Sequence, residues 1–168
     1  LAGNTGANAS LGAITVDSST PSAPTVTITE DTNNDGYINA AELSGDINIS
    51  IALPANAVEG DTVTLSGSSS ASITLTAQNI TDKSVTTTIT SPGNGQTVTV
   101  NATITDKAGN ASAQGSDSAV IDTSAPAAPG ATLASDTGSS GSDSVTNTGT
   151  VNVTGIESGA TWQYSTNG

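Results

Sequence analysis

An all-β chain built from antiparallel sheets is what this sequence predicts, and three observations carry the prediction. Short β-branched runs alternate apolar and polar residues, as in Ile47, Ile49, Ile51 and Leu53 and again in Val98, Val100, Ala102 and Ile104. Gly, Pro, Asn and Asp punctuate the gaps, as in Ser91-Pro-Gly-Asn-Gly95 and Asp106-Lys-Ala-Gly-Asn110. The chain also repeats itself, at a spacing too long for a short-repeat solenoid.

The strand-like runs follow one another in order. Residues 25–29 (Thr-Val-Thr-Ile-Thr) are a β-branched alternation, and 46–53 carry the isoleucine ladder. Residues 62–66 and 72–76 are shorter runs of the same kind, separated by Ser66-Gly-Ser-Ser-Ser-Ala71, a flexible turn. Residues 84–90 are rich in Thr, 96–106 hold the longest alternation, and 113–122 close the set. Seven short strands in about a hundred residues indicate an immunoglobulin-like antiparallel β-sandwich. The disulfide and core Trp of antibody domains are missing, so only the architecture is implied.

The repeat sets the domain boundaries. Ile14-Thr-Val-Asp-Ser-Ser-Thr-Pro-Ser-Ala-Pro24 returns as Ala119-Val-Ile-Asp-Thr-Ser-Ala-Pro-Ala-Ala-Pro129. Asp17 to Asp122, Pro21 to Pro126 and Pro24 to Pro129 are each 105 positions apart. Ala2-Gly-Asn4 likewise returns as Ala108-Gly-Asn110. Residues 1–21 are then the last strand and joint of a preceding unit, and 22–130 a complete repeat. Residues 131–168 begin a following unit, with about three strands, and cannot bury a sandwich core alone.

Composition narrows the function. Fifteen acidic residues face two basic ones, Lys83 and Lys107, for a net charge of −13. That argues against nucleic acid, whose affinity comes from basic contacts to phosphate, and against anionic membrane surfaces. It favours solubility and the gathering of divalent cations. Cys and His are absent, which removes disulfides, thiol nucleophiles, histidine bases and zinc sites. No apolar run is long enough to span a bilayer, and no N-terminal signal is evident in a chain that begins at Leu. The sequence reads as a fragment of something larger. Phe and Met are missing too, so the core must be built from Val, Ile, Leu, Ala and Thr methyls. So lean a core calls for help from a bound ligand.

Residues 31–42, Asp-Thr-Asn-Asn-Asp-Gly-Tyr-Ile-Asn-Ala-Ala-Glu, fit the twelve-residue calcium loop of an EF-hand. Oxygen ligands fall at the first, third and fifth places (Asp31, Asn33, Asp35), and Gly36 sits at the sharp turn. Tyr37 would offer its carbonyl, Asn39 a water-mediated contact and Glu42 a bidentate carboxylate. Calcium wants six to eight oxygens, and this spacing wraps them around one point. The alternative is an Asn/Asp/Gly-rich turn that binds nothing. The flanks are wrong for a helix pair: a strand enters, and Ala40-Ala-Glu-Leu43 allows one helical turn. A structural calcium site is therefore expected, not a sensor. Asp136-Thr-Gly-Ser-Ser-Gly-Ser-Asp143 occupies the corresponding place in the next unit but lacks most ligands.

Asp17 and Asp122 end a strand before each Ser/Thr-Pro joint. The turn from Asp106 to Asn110 is expected at that same end, where such carboxylates could share an interdomain calcium. The competing reading is an Asp that starts a turn before proline. Catalysis finds no support: the acids sit in turns, a serine nucleophile has no base, and no phosphate loop follows a strand. No enzyme activity is expected. Trp162 and Tyr164 fit core packing of the third unit better than stacking on a sugar.

The joint, the loop and Thr105-Asp-Lys-Ala-Gly-Asn110 together resemble the tandem bacterial immunoglobulin-like repeats of giant repeats-in-toxin (RTX) adhesins. Gly149-Thr-Val-Asn-Val-Thr-Gly155, followed by Ala160-Thr-Trp-Gln-Tyr-Ser-Thr-Asn-Gly168, looks like the opening of another repeat subtype in the same proteins. The resemblance implies an extracellular stalk on a Gram-negative cell, exported by type I secretion and stiffened by calcium at its joints. Its partners are then the neighbouring repeats of the same chain. Two alternatives stand beside it. One is a ligand-binding module for sugar, protein or ice, which a flat array of Thr on one sheet face would favour. The other is a subunit of a strand-exchanged surface filament.

Overall fold

The computed structural model describes Gly12 and residues 14–165. The Ala2-Gly-Asn4 copy and most of the strand expected to end a preceding unit lie outside the described residues. Residues 14–21 form no strand. The chain divides into two compact units, residues 1–123 and 124–168.

The first unit is built from two sheets. Strands β1 (Thr25–Ile28), β3 (Ile47–Ala52) and β6 (Ser84–Ile89) form an antiparallel three-stranded sheet in the order β1-β3-β6. The other sheet is five-stranded, in the order β2-β8-β7-β4-β5. Its members are β2 (Tyr37–Asn39), β4 (Thr62–Gly67), β5 (Ala71–Thr74), β7 (Thr97–Thr105) and β8 (Gly115–Asp122). All its pairings are antiparallel except β2 with β8, which is parallel. All seven sequence-expected runs thus appear as strands, and the molecule is all-β in character.

The alternation explains why these residues form these strands. In β3 the three isoleucines face inward and are at most 1% exposed. In β7 Val98, Val100, Ala102 and Ile104 do the same from the other sheet. One cluster unites them with Val26, Ile28, Ile38, Val63, Leu65, Val85 and Ile121, so the two sheets share a core. It contains no aromatic side chain, as the composition requires.

Two elements were not expected. Strand β2 lies inside the calcium-type loop, where Tyr37–Asn39 align with Val120, Ile121 and Asp122. Helix α1 (Ala77–Asp82) fills the gap between β5 and β6. A reciprocal capping box between Thr76 and Asn79 starts it, and Lys83 in the left-handed region stops it. The helical turn expected at residues 40–43 is present as a single turn, with the Leu43 N–H donating to the Asn39 carbonyl at 3.0 Å.

The second unit is one hairpin, β9 (Gly130–Leu133) paired antiparallel with β10 (Val151–Thr154). Two strands appear among its described residues where three were expected. None of those residues is buried, which agrees with the expectation that this segment cannot close a core by itself. Trp162 is 46% exposed and tilts against Tyr164 with ring centroids 6.0 Å apart, so it packs on a surface and not in a core.

Candidate metal centre

The calcium-type loop is the first of the connections between the two sheets. β1 runs into it from the three-stranded sheet, and the chain leaves it as β2 in the five-stranded sheet. Ile38, the eighth place, is fully buried and pairs in register with Ile121. The loop therefore carries the first crossing of the chain from one sheet to the other.

Its inner geometry follows the ligand spacing. Asp31 is only 8% exposed; its Oδ1 accepts the Asp35 N–H at 3.0 Å and its Oδ2 the Gly36 N–H at 2.9 Å. Gly36 has φ +84°, a conformation natural to glycine, which makes the sharp turn possible. Asn33 accepts the Asp35 N–H through Oδ1 (3.1 Å) and donates through Nδ2 to Asp35 Oδ2 (2.9 Å). Asp35 Oδ1 accepts the Tyr37 N–H at 2.9 Å. The Gly36 carbonyl is taken by the Val120 N–H at 2.9 Å. Successive carbonyls of a strand point to opposite edges, which directs that of Tyr37 away from β8.

The far end of the loop is arranged differently. Glu42 Oε1 accepts from the Thr32 hydroxyl at 2.8 Å, and Oε2 from Asn39 Nδ2 at 2.7 Å and the Asn39 N–H at 3.1 Å. Asn39 Oδ1 in turn accepts the Ala41 N–H at 2.8 Å. The six expected ligands thus share one hydrogen-bonded loop, in two groups: Asp31, Asn33 and Asp35 around the Gly36 turn, and Asn39 with Glu42 beyond it. Among the described residues no three carboxylates stand close enough together to hold a metal ion. The donors are all oxygens of the kind calcium selects, and they carry three negative charges in twelve residues.

Several supporting groups were not anticipated. Glu30, 5% exposed, accepts both the Asn48 N–H and the Asn48 side-chain amide from β3, which fixes the strand entering the loop. Asp117 Oδ2 accepts the Ile28 N–H at 2.7 Å and ties β1 to β8 across the two sheets. Thr32 sits at a loop place that ligand rules leave unassigned. Asp61 is 1% exposed; its Oδ2 accepts the Val58 N–H at 2.9 Å, and its Oδ1 has no hydrogen-bond partner among the described residues. The Glu30 and Asp117 partnerships depend on how strands align, which local spacing does not encode.

The joint carboxylates are not gathered at one end, and this corrects the expectation for Asp106 and Asp122. Asp106 follows β7, beyond Thr105, whereas Asp122 ends β8 beside the start of β7, where Thr97 pairs with Val120. A nine-residue strand separates them by about 30 Å. Antiparallel pairing makes this unavoidable. Asp122 instead aligns with Asn39 of the calcium-type loop. Asp17 lies at the Asp106 end, where the Asn110 side-chain amide donates to the Asp17 carbonyl at 3.2 Å.

Asp106 is the hub of its turn. Its Oδ1 accepts the N–H groups of Ala108 (2.9 Å) and Asn110 (2.8 Å), and its Oδ2 the Asn110 side-chain amide (2.8 Å). That side-chain amide is the main influence holding the Asp106 carboxyl below its ordinary value. Desolvation opposes it, and the N–H groups of Asn110, Ala108 and Gly109 reinforce it.

Among the described residues no helix is long and apolar enough to cross a membrane. Comparison of the chain with protein-family models and with curated protein sequences returns no match.

Proposed function

We propose that this chain is a calcium-stabilised extender segment from the stalk of a large bacterial cell-surface adhesin, built of immunoglobulin-like sandwich units. The observation that carries the reading is the loop 31–42: a calcium ligand pattern placed where one strand crosses between two sheets that share a lean aliphatic core. A cation held there by Asp31, Asn33, Asp35, Tyr37, Asn39 and Glu42 supplies the cross-link that disulfides give other small secreted domains. The strand order supports the sandwich type. β1, β3 and β6 match the A, B and E strands, and β4, β7 and β8 match C, F and G.

The joints extend the reading. Asp17 and Asp122 are equivalent in the repeat, and Asp17 meets the Asp106 turn of the unit that follows it. Asp122 holds the equivalent place at the outgoing joint, and the interdomain-calcium reading rests on such an Asp at each joint. The segment has no active site in this account, and its partners are neighbouring repeats on the outside of a Gram-negative cell.

Titration with terbium, a calcium mimic excited through the neighbouring Tyr37, tests the loop directly. Luminescence that saturates, is displaced by calcium and falls at least about tenfold in affinity in Glu42→Gln is expected. Absence of any sensitised signal contradicts the site.

One observation favours a second reading, a ligand-binding module. The outer face of the five-stranded sheet carries uncharged ranks in register, Thr74-Thr62-Thr105 and Ser72-Thr64-Thr103. A hydroxyl array of that kind suits sugar, protein or ice. Adsorption to one of these that is abolished by Thr64→Asp with Thr103→Asp would favour it, and wild-type protein that adsorbs to none excludes it.

A further inference from the structure

The incoming linker is not free chain. Its Ser22 N–H donates to Asn56 Oδ1 at 3.1 Å, and Asn56 Nδ2 donates to the Thr20 carbonyl at 3.4 Å. The Asn110 side chain reaches the Asp17 carbonyl. Pro21 and Pro24 are buried, although every other residue from 14 to 23 is exposed. The Pro24 carbonyl lies directly over Gly115: a Cβ built there would stand 2.0 Å from it. That close approach explains glycine at the first residue of β8 on packing grounds, since its backbone needs no left-handed conformation.

These contacts share one property. The linker groups that Asn56 and Asn110 touch are main-chain atoms, and the buried linker side chains are two prolines. Nothing in the seat reads Ser18, Thr20 or Ser22 by side chain. We propose that Asn56, Asn110 and the bare Gly115 backbone form a docking seat for an Asp-x-x-x-Pro-x-x-Pro segment, occupied here by residues 17–24. The outgoing linker, Asp122 to Pro129, carries the same pattern. It is therefore the kind of segment that an equivalent seat on a following unit takes, a step that rests on the tandem-repeat reading above. The contacts of the seat are to main-chain atoms and use no carboxylate ligand, so they form with or without calcium.

Amide hydrogen exchange on the full chain tests this, with Val100 in the core as the internal control. The Ser22 amide is expected to exchange at least about tenfold more slowly than an unstructured amide, in calcium and in chelator alike. Asn56→Ala should abolish that protection and leave Val100 unchanged, and Asn110→Ala should weaken it. The triple variant Ser18→Thr/Thr20→Ala/Ser22→Ala rewrites the incoming linker as the outgoing one and should keep full protection at position 22. A wild-type Ser22 amide exchanging at the coil rate overturns the seat, and so does loss of protection in the triple variant. Protection that appears only with calcium also overturns it and assigns the joint to the metal.

Discussion

Glu42 stands at the twelfth place of the loop with both carboxylate oxygens occupied, one by Thr32 and the other by Asn39. Its position was legible because calcium ligand spacing is a local property of twelve residues. The Thr32 contact was not, since it depends on how the loop folds back on itself. Asp106 and Asn110 show the same division. The turn between them could be read from Asp, Gly and Asn, but the docking of Asn110 on Asp17, distant in sequence, could not. Asp106 also yields a prediction with a definite sign. A carboxyl held below its ordinary value stabilises the fold above the unfolded pKa, and that contribution is lost as pH falls through the folded one. Asn110→Ala removes the largest lowering influence, so the Asp106 pKa should rise toward its ordinary value and the acid-side loss should begin at higher pH. Carboxyl titration followed by NMR measures this, and an unmoved Asp106 curve would count against the hub role.

Strand β2 is three residues long, yet it receives the first crossing of the chain from one sheet to the other. No periodicity can announce so short a strand, and its partner β8 lies some eighty positions away in the sequence. Ile38 stands at the hydrophobic eighth place of the loop, and burial in register with Ile121 gives that residue its purpose. Ile38→Ala is expected to cost about 2–5 kcal/mol in urea unfolding, the usual range for a buried Ile. It should also weaken calcium binding, because the second half of the loop loses its anchor. Unchanged stability would mean that β2 is not a structural tie. Helix α1 was missed for a different reason: six residues give no readable helical period, and the Thr76–Asn79 capping pair was the one local signal. The long runs were legible because alternation over five to nine residues leaves a single buried face.

At the scale of the whole molecule, the first unit holds all the buried apolar side chains and the second holds none among its described residues. That contrast was readable from the runs of Val and Ile, which thin out after residue 122. The placement of acids at opposite ends of the five-stranded sheet was not readable, because it follows from strand direction and not from composition. A core without aromatics, twelve acids against two lysines and no disulfide leave the first unit dependent on its loops for extra stability. Calcium bound only by the folded state adds about 2.7 kcal/mol at a hundredfold excess over its dissociation constant. Thermal unfolding of the full chain with calcium and with chelator, beside the Glu42→Gln variant, tests this most directly. The account predicts a large calcium-dependent rise in melting temperature that the variant blunts. Equal melting with and without calcium would contradict it, leaving the loop a hydrogen-bonded turn and the Thr-faced sheet the better candidate for function.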